Sequence, residues 1–347
     1  GWSVVIASKQ DIFSKYRLLQ PGLIILKSLQ SGYLEIIKQL KEKNYNFAAI
    51  NEEGLLFIHP NFILNKVNND CLKNVEYFFC WGKTEKEIMK KVFKDLDHKL
   101  ILSGNARIDI LKKENRKNLE EDANLIKNKF GNFILFTTKF GRANFIPRFG
   151  MKSWIEGQYK NGNLSDEEPE YVEITKKSII HEENNLKKFL EFFEIFAKKF
   201  PNKKLIIRPH PSENHELYRL VTKNYKNINV VNDDKSTNSW ILASEFLIHS
   251  NCTTSIESFI LNKKSINFLG FKDENVEHIL PKIFSHLSDS VQDLLNKIDK
   301  KVEDLELSQK NLEIAKNWLY NFDKDSSAEI MLDYFNKIEN INTKLGD

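Results

Sequence analysis

The chain has 347 residues, room for two domains of ordinary size, and its 41% apolar and 12% aromatic content, with 25 Phe, excludes a disordered polymer. The formal net charge of +4 allows mild attraction to anionic surfaces. With no RNP pattern, zinc-finger spacing or dense Arg face, no nucleic-acid partner is expected.

In chain order, short apolar runs alternate with helical stretches. Residues 4–7 read as a strand at the very start, so the first β-α unit of a Rossmann-like half is expected to be missing or entered part-way. Further strands are expected at 23–26, 47–50, 77–80 and 100–102, with helices at 33–43 and 84–95 between them. A helix at 119–130 and a strand at 133–137 follow. Residues 142–173, with Gly150, Gly157, Gly162 and the acidic run Asp166-Glu167-Glu168, read as irregular. Residues 185–199 form an amphipathic helix whose Phe189, Phe192, Phe193 and Phe196 share one face, a stripe read as core. Strands are expected again at 205–207, 228–231, 246–248 and 265–269, and helices at 287–298, 305–320 and 326–338.

Cys71, Cys80 and Cys252 are odd in number and unclustered, which fits a reducing compartment and excludes a disulfide framework. No CxxC or HExxH spacing is present, so neither a metal nor another cofactor is expected. No run approaches the roughly 18 apolar residues of a membrane span, and no signal peptide is visible. The expected location is the cytoplasm, with peripheral contact to the inner membrane permitted by the mild basicity.

This βαβ rhythm predicts an α/β chain with doubly wound parallel sheets. Two Rossmann-like domains facing a cleft, with C-terminal helices, make up the GT-B architecture, and that is the expected fold. The expected divisions are an acceptor-side domain at 1–148, an irregular linker at 149–184, a nucleotide-side domain at 185–320, and a helix and tail at 321–347.

The most informative stretch is Ile207-Arg208-Pro209-His210-Pro211-Ser212-Glu213-Asn214, between a strand and a helix. Open α/β sheets bind ligands at the carboxyl ends of their strands. Arg208 and His210 there suit an anionic group beside unpaired helical N–H groups, against the plainer reading of a proline-stiffened loop. Forty residues on, Ser250-Asn251-Cys252-Thr253-Thr254-Ser255-Ile256-Glu257 runs from a strand into a helix, with more hydroxyls than a cap needs. These hydroxyls suit a phosphate, and Glu257 one turn in suits ribose hydroxyls.

The first half carries its own strand-end markers. Asn51-Glu52-Glu53-Gly54 puts two carboxylates at a glycine turn, readable as a general base toward an acceptor hydroxyl or as an acidic helix start. In Gly104-Asn105-Ala106-Arg107-Ile108-Asp109, Arg107 fits either an anion or a pairing with Asp109. Thr137-Thr138-Lys139-Phe140-Gly141-Arg142-Ala143-Asn144 offers Lys139 and Asn144 for either function or loop structure. Asn232-Asp233-Asp234 reads as a turn rather than a metal motif.

Glu52-Glu53-Gly54, His210-Pro211 and the Ser250, Thr253 and Thr254 cluster resemble the three short motifs of bacterial sialyltransferases and polysialyltransferases. The wider pattern, including Leu26-Lys27-Ser28, Asn105-Ala106-Arg107, Phe140-Gly141-Arg142 and Asn251-Cys252-Thr253-Thr254, resembles surface carbohydrate biosynthesis proteins related to retaining β-Kdo transferases. It spans about residues 3 to 270. CDP-glycerol glycerophosphotransferases share the HP feature, but Ala106 stands where their loop often has Pro. The resemblance implies a glycosyltransferase taking a Kdo- or nonulosonic-acid-type sugar from a CMP-sugar donor to a bacterial surface glycan, free or lipid-linked, without a metal. It implies donor contacts from Arg208, His210, Pro211, Ser250, Asn251, Thr253, Thr254 and Glu257. It also implies acid/base work by Glu53, with Glu52 second, and assistance to CMP departure by His210. Asp109 is a nucleophile candidate by position only. The alternatives are a CDP-glycerol-type polyol-phosphate transferase, a non-catalytic nucleotide-sugar-binding protein and a UDP-sugar epimerase.

Overall fold

The computed structural model describes residues 2–52, 54–144, 150–160, 164–166, 169–300 and 309–338. The chain divides into two compact units, residues 1–110 with 312–347 and residues 111–311.

The first unit is built on a parallel sheet of β1 (Leu23–Leu26), β2 (Asn46–Ile50), β3 (Tyr77–Cys80) and β4 (Leu100–Leu102), ordered as in the chain. From Phe47 onward the central strands are apolar because helices cover both faces. Phe47, Ala48, Ala49, Phe78, Phe79 and Cys80 are all buried. Residues 4–7 form no strand, contrary to expectation. The sheet ends at β1 and nothing among the described residues pairs beyond it, so Val4, Val5 and Ile6 stay exposed. A helix, Lys9–Lys15, follows at once, capped by Ser8 Oγ, which accepts the Asp11 N–H at 3.1 Å.

The C-terminal segment also belongs to the first unit, rather than to the nucleotide-side domain and a separate tail. Trp81 C=O accepts the Tyr320 N–H at 2.9 Å. A Cβ on Gly82 would lie 2.3 Å from the Asn317 carbonyl, so only glycine admits this approach. Tyr334 and Phe335 on the helix Ser327–Phe335 pack edge-on against Phe79.

The second unit holds six parallel strands: β5 (Ile134–Thr137), β6 (Leu205–Arg208), β7 (Ile228–Val230), β8 (Leu247–His249), β9 (Ser265–Phe268) and β10 (His286–Ser288). Their order is β10-β9-β8-β5-β6-β7. The chain enters at β5, adds β6 and β7 on one side, then crosses back to add β8, β9 and β10 on the other. Because β5 is central here, residues 111–148 belong to this unit and not to the N-terminal half, which corrects the expected boundary. The helix expected from 287 begins instead as edge strand β10. The helix proper is Val291–Asp299, capped by Ser290.

The region read as an irregular linker is largely helical, with helices Gly150–Lys160 and Pro169–Lys199. The second runs for 31 residues, and the expected 185–199 helix is its C-terminal half. Its phenylalanine stripe is core, as expected. Phe189 stacks on Phe136 with ring centroids 4.3 Å apart and meets Phe268 edge-on at 4.8 Å.

Candidate functional site

In the second sheet the strand order reverses between β5 and β8. The carboxyl ends of those strands are therefore where an open sheet leaves a crevice. There the chain gathers Lys139 and Arg142 after β5, Ser250 and Asn251 after β8, and Val276 and His278 after β9. Ser178, His181 and Glu182 join them from the long helix. Together they line a small pocket.

Lys139 Nζ donates to the Asn251 carbonyl at 2.9 Å and lies 3.4 Å from His278 Nδ1. Burial lowers the Lys139 pKa to about 8, against the pull of Glu182 and Cys252, with Arg142 adding to the lowering. Asn251 is the hinge of the pocket. Its φ of 50° is left-handed, which asparagine tolerates. Its N–H donates to Asn267 Oδ1 and its own Oδ1 accepts the His278 N–H, both at 2.9 Å. Burial, with Lys139 and Arg142 close by, holds His278 well below its ordinary pKa, so its ring is neutral. Glu182 Oε2 accepts the Arg142 N–H at 3.0 Å, and its Oε1 lies 3.4 Å from Arg142 Nη1. His181 faces Glu277 at 3.6 Å, and Glu277 is paired with Lys282 at 3.1 Å. Burial raises the Glu277 pKa, but hydrogen bonds from His181, Lys282 and the Asp273 N–H outweigh it and bring the pKa down to about 2.

Beside this pocket stands the loop after β6. The His210 N–H donates to Thr138 Oγ1 at 2.9 Å, and Thr138 donates in turn to Glu213 Oε1 at 2.8 Å. The Phe140 N–H and the Tyr218 hydroxyl also donate to the Glu213 carboxylate. Glu213 is fully buried and cross-links the β5 and β6 loops. Burial raises its pKa to about 7 against these hydrogen bonds, with Glu182 adding to the rise. His210 Nδ1 accepts the Ser212 N–H at 3.2 Å and lies 2.8 Å from Ser212 Oγ; with Nδ1 as the acceptor, the proton of the neutral ring is assigned to Nε2. Desolvation lowers the His210 pKa. Glu182 opposes that, while His215 and Lys139 add to it.

The remaining donor-side candidates are placed differently from one another. Arg208 is tied into the fold: its guanidinium reaches Asp233 Oδ1 at 2.6 Å, the Asp233 and Lys235 carbonyls, and the face of Trp240. Pro211 is exposed in the loop. Thr253 is the residue before the helix Thr254–Ile260 and makes no side-chain cap bond. Thr254 Oγ1 lies 3.0 Å from Thr137 Oγ1, joining β5 to that helix, and Glu257 is buried one turn further on. Asn144 serves loop structure. Its Nδ2 donates to the Asn214 carbonyl at 3.0 Å, and its own carbonyl accepts the Asn214 N–H at 2.8 Å.

In the first unit the acidic turn follows β2, as expected. Glu53 lies outside the described residues. Glu52 is partly exposed, with Oε2 3.8 Å from Lys27 Nζ. Asn51 is buried behind the turn and donates to Glu85 Oε1 at 3.2 Å. Glu85 Oε2 accepts the Trp81 N–H at 2.6 Å. Complete burial raises the Glu85 pKa to about 7, against hydrogen bonds from Trp81 and Asn51 and the charge of Lys66. Asn105 caps its own turn by accepting the Arg107 N–H at 2.9 Å, and Arg107 is exposed. Asp109 is buried and clasps the start of the last helix, accepting the Ala328 N–H at 2.8 Å and the Ser326 hydroxyl at 3.3 Å. That fixes it as a fold contact of the first unit.

Sequence reasoning left out Glu182, His181, His278 and Ser178. A helical signal was available for two of them: Ser178 and Glu182, together with Asn185, extend the face that Phe189, Phe192 and Phe196 continue. His278 sits in no recognisable motif. Among the described residues, no group of three or more His, Cys, Asp or Glu side chains is arranged to hold a metal ion. No described helix is long and apolar enough to cross a membrane.

No protein-family model matches the sequence, and no curated protein matches it either. Solved structures do. The chain is similar to the UDP-GlcNAc 2-epimerase of Methanocaldococcus jannaschii in complex with UDP-GlcNAc and UDP. There the TM-score is 0.56 at 15% identity, over 94% of this chain and 79% of that one. The UDP-GlcNAc 2-epimerase of Neisseria meningitidis bound to UDP-GlcNAc gives 0.53 at 12% identity, over 95% and 80%. The wall teichoic acid polymerase TagF soaked with CDPG gives 0.51 at 12% identity, over 91% and 72%. The fold is of the GT-B type. At such identities the GT-B likeness is one of architecture, and the chemistry has to be argued from the site.

Proposed function

We propose that this GT-B chain is a glycosyltransferase that takes a Kdo- or nonulosonic-acid-type sugar from a CMP-sugar donor to a surface-glycan acceptor, with the donor phosphate in the pocket at the β5–β8 reversal. The observation that carries this reading is the charge of the pocket. Lys139 and Arg142 are cationic, Glu182 offsets one of them, and His278 is neutral. His181 faces a carboxylate already paired with Lys282. One net positive charge suits a single phosphodiester, the linkage of a nucleoside-monophosphate sugar.

The same charges suit the reaction. When the sugar leaves, the phosphodiester becomes a monoester and gains negative charge. Cations and donors already in place favour that change more than they favour the bound donor. Lys139 and the Ser250 hydroxyl would hold the phosphate, and the Nε2–H of His210 would donate to the departing CMP. Glu53, with Glu52 second, would serve the acceptor.

A second reading, a CDP-glycerol-type polyol-phosphate transferase, is favoured by the likeness to TagF, a structure solved with CDPG. Thermal stabilisation by CMP, CDP, UMP and UDP separates the two, because a ligand that binds only the folded state raises the melting temperature. The expected result is a rise with CMP that His210→Ala largely removes. A rise with CDP far exceeding that with CMP would move the assignment to the second reading. A response to UDP without one to CMP would sink both.

A further inference from the structure

We infer that Glu182 is a positioning residue of the phosphate pocket: from the helix Pro169–Lys199 it fixes Arg142 in the pocket wall and is the counter-charge that Lys139 meets in the same lining. The inference rests on the pocket's role proposed above, but its geometry stands without it.

Glu182 is the one carboxylate among the described residues lining the pocket. It is buried, and both of its oxygens are turned to Arg142, one to the main-chain N–H and one to the guanidinium. Lys139 needs such a partner. Its direct contacts, the Asn251 carbonyl and the His278 ring, are both neutral. Lys139 is half-buried, and a desolvated ammonium with neutral contacts only is costly and tends to shed its proton. Each element around Lys139 contributes a titratable group. Arg142 comes from its own loop, Cys252 and His249 from the end of β8, His278 from the loop after β9, and His210 from the loop after β6. His181 lines the same pocket from the long helix. Arg142 opposes a charge on Lys139, the neutral rings of His249 and His278 do not support one, and Glu182 does, ahead of a smaller contribution from Cys252.

The sequence explains why this carboxylate sits here. Thr175, Ser178, Glu182 and Asn185 are buried polar positions along the helix face that becomes the phenylalanine stripe. Asn185 anchors that end by exchanging hydrogen bonds with the Phe271 backbone at 2.8 and 3.1 Å. The helix therefore meets the core with one half and the pocket with the other.

The test is the titration of Lys139 in the intact chain, read by competitive acetylation and mass spectrometry between pH 6 and 10, with no ligand present. Wild type should lose its ammonium near pH 8. Glu182→Gln keeps an oxygen for the Arg142 N–H, yet should move that midpoint down by roughly one unit, and Glu182→Asp should restore most of it. In parallel, CMP affinity of Glu182→Gln should fall away at correspondingly lower pH than in wild type. A role in fold stability alone would shift the melting temperature and leave the Lys139 midpoint in place. An unmoved midpoint in Glu182→Gln overturns the inference. If the midpoint moves but wild type does not bind CMP, the inference stands and the proposed donor falls.

Discussion

Arg208 shows how a residue can carry the right chemistry at the right strand end and still serve the fold. An arginine closing a strand suits an anion, yet its guanidinium is spent on Asp233, the Lys235 carbonyl and Trp240. Its side chain is 12% exposed, so the Asp233 pair is more than a surface contact. Arg208→Ala should cost about 2 kcal/mol of stability in urea unfolding, since a charge-assisted network loses its donor. It should leave CMP affinity within about two-fold of wild type in the same solution conditions, as expected for a residue away from the ligand. A large loss of affinity with stability intact would return Arg208 to the binding set. Lys139 is the opposite case. The sequence left it evenly between loop and site, and only the strand order shows that it faces Asn251 and His278 across the sheet edge. Glu53, first among the acid/base candidates, falls outside the described residues.

Strands were legible because a sheet covered on both faces demands continuous apolar runs, and such runs survive in the sequence. Residues 77–80 and 100–102 form strands with the expected bounds. Residues 4–7 are equally apolar and form none, because a run specifies a strand only where a neighbour can pair with it. β10 failed in the other direction. Its three residues include an exposed Leu287 and carry no apolar run, so the segment reads as the start of the helix that follows. The long helix was half legible. Its C-terminal half announces itself through phenylalanine, whereas its N-terminal half buries Thr175, Ser178 and Glu182, which a hydrophobic period does not register. Phe189 joins the helix to the sheet through Phe136 and Phe268, and to the loop after β5 through Phe140. Phe189→Ala should destabilise the second unit by about 3–5 kcal/mol. Hydrogen exchange in β5 and β9 should speed up accordingly, and unchanged protection there would contradict the packing described.

At the scale of the molecule, the α/β class and the GT-B type were readable from the rhythm of strands and helices, while the boundaries were not. Strand order is a long-range property: nothing local in residues 134–137 says that they form the centre of the second sheet rather than an edge of the first. The return of the C-terminal segment to the first unit is equally non-local, and its trace in the sequence is only Gly82 and Gly104, where a side chain would strike residues beyond 316. The same strand order gives the site its meaning. It brings Lys139 together with Ser250, Asn251 and His278, all more than a hundred residues further along the chain, and leaves them one net positive charge with Arg142 and Glu182. The most direct measurement is a calorimetric titration of CMP into wild type and into Lys139→Met at pH 7, where Lys139 is still largely charged. Wild type should show a single site, weakened about ten-fold or more in the variant, as loss of a charge-assisted phosphate contact entails. Equal affinity in the two proteins, or no binding to wild type, would rule out Lys139 as the phosphate contact of a CMP site.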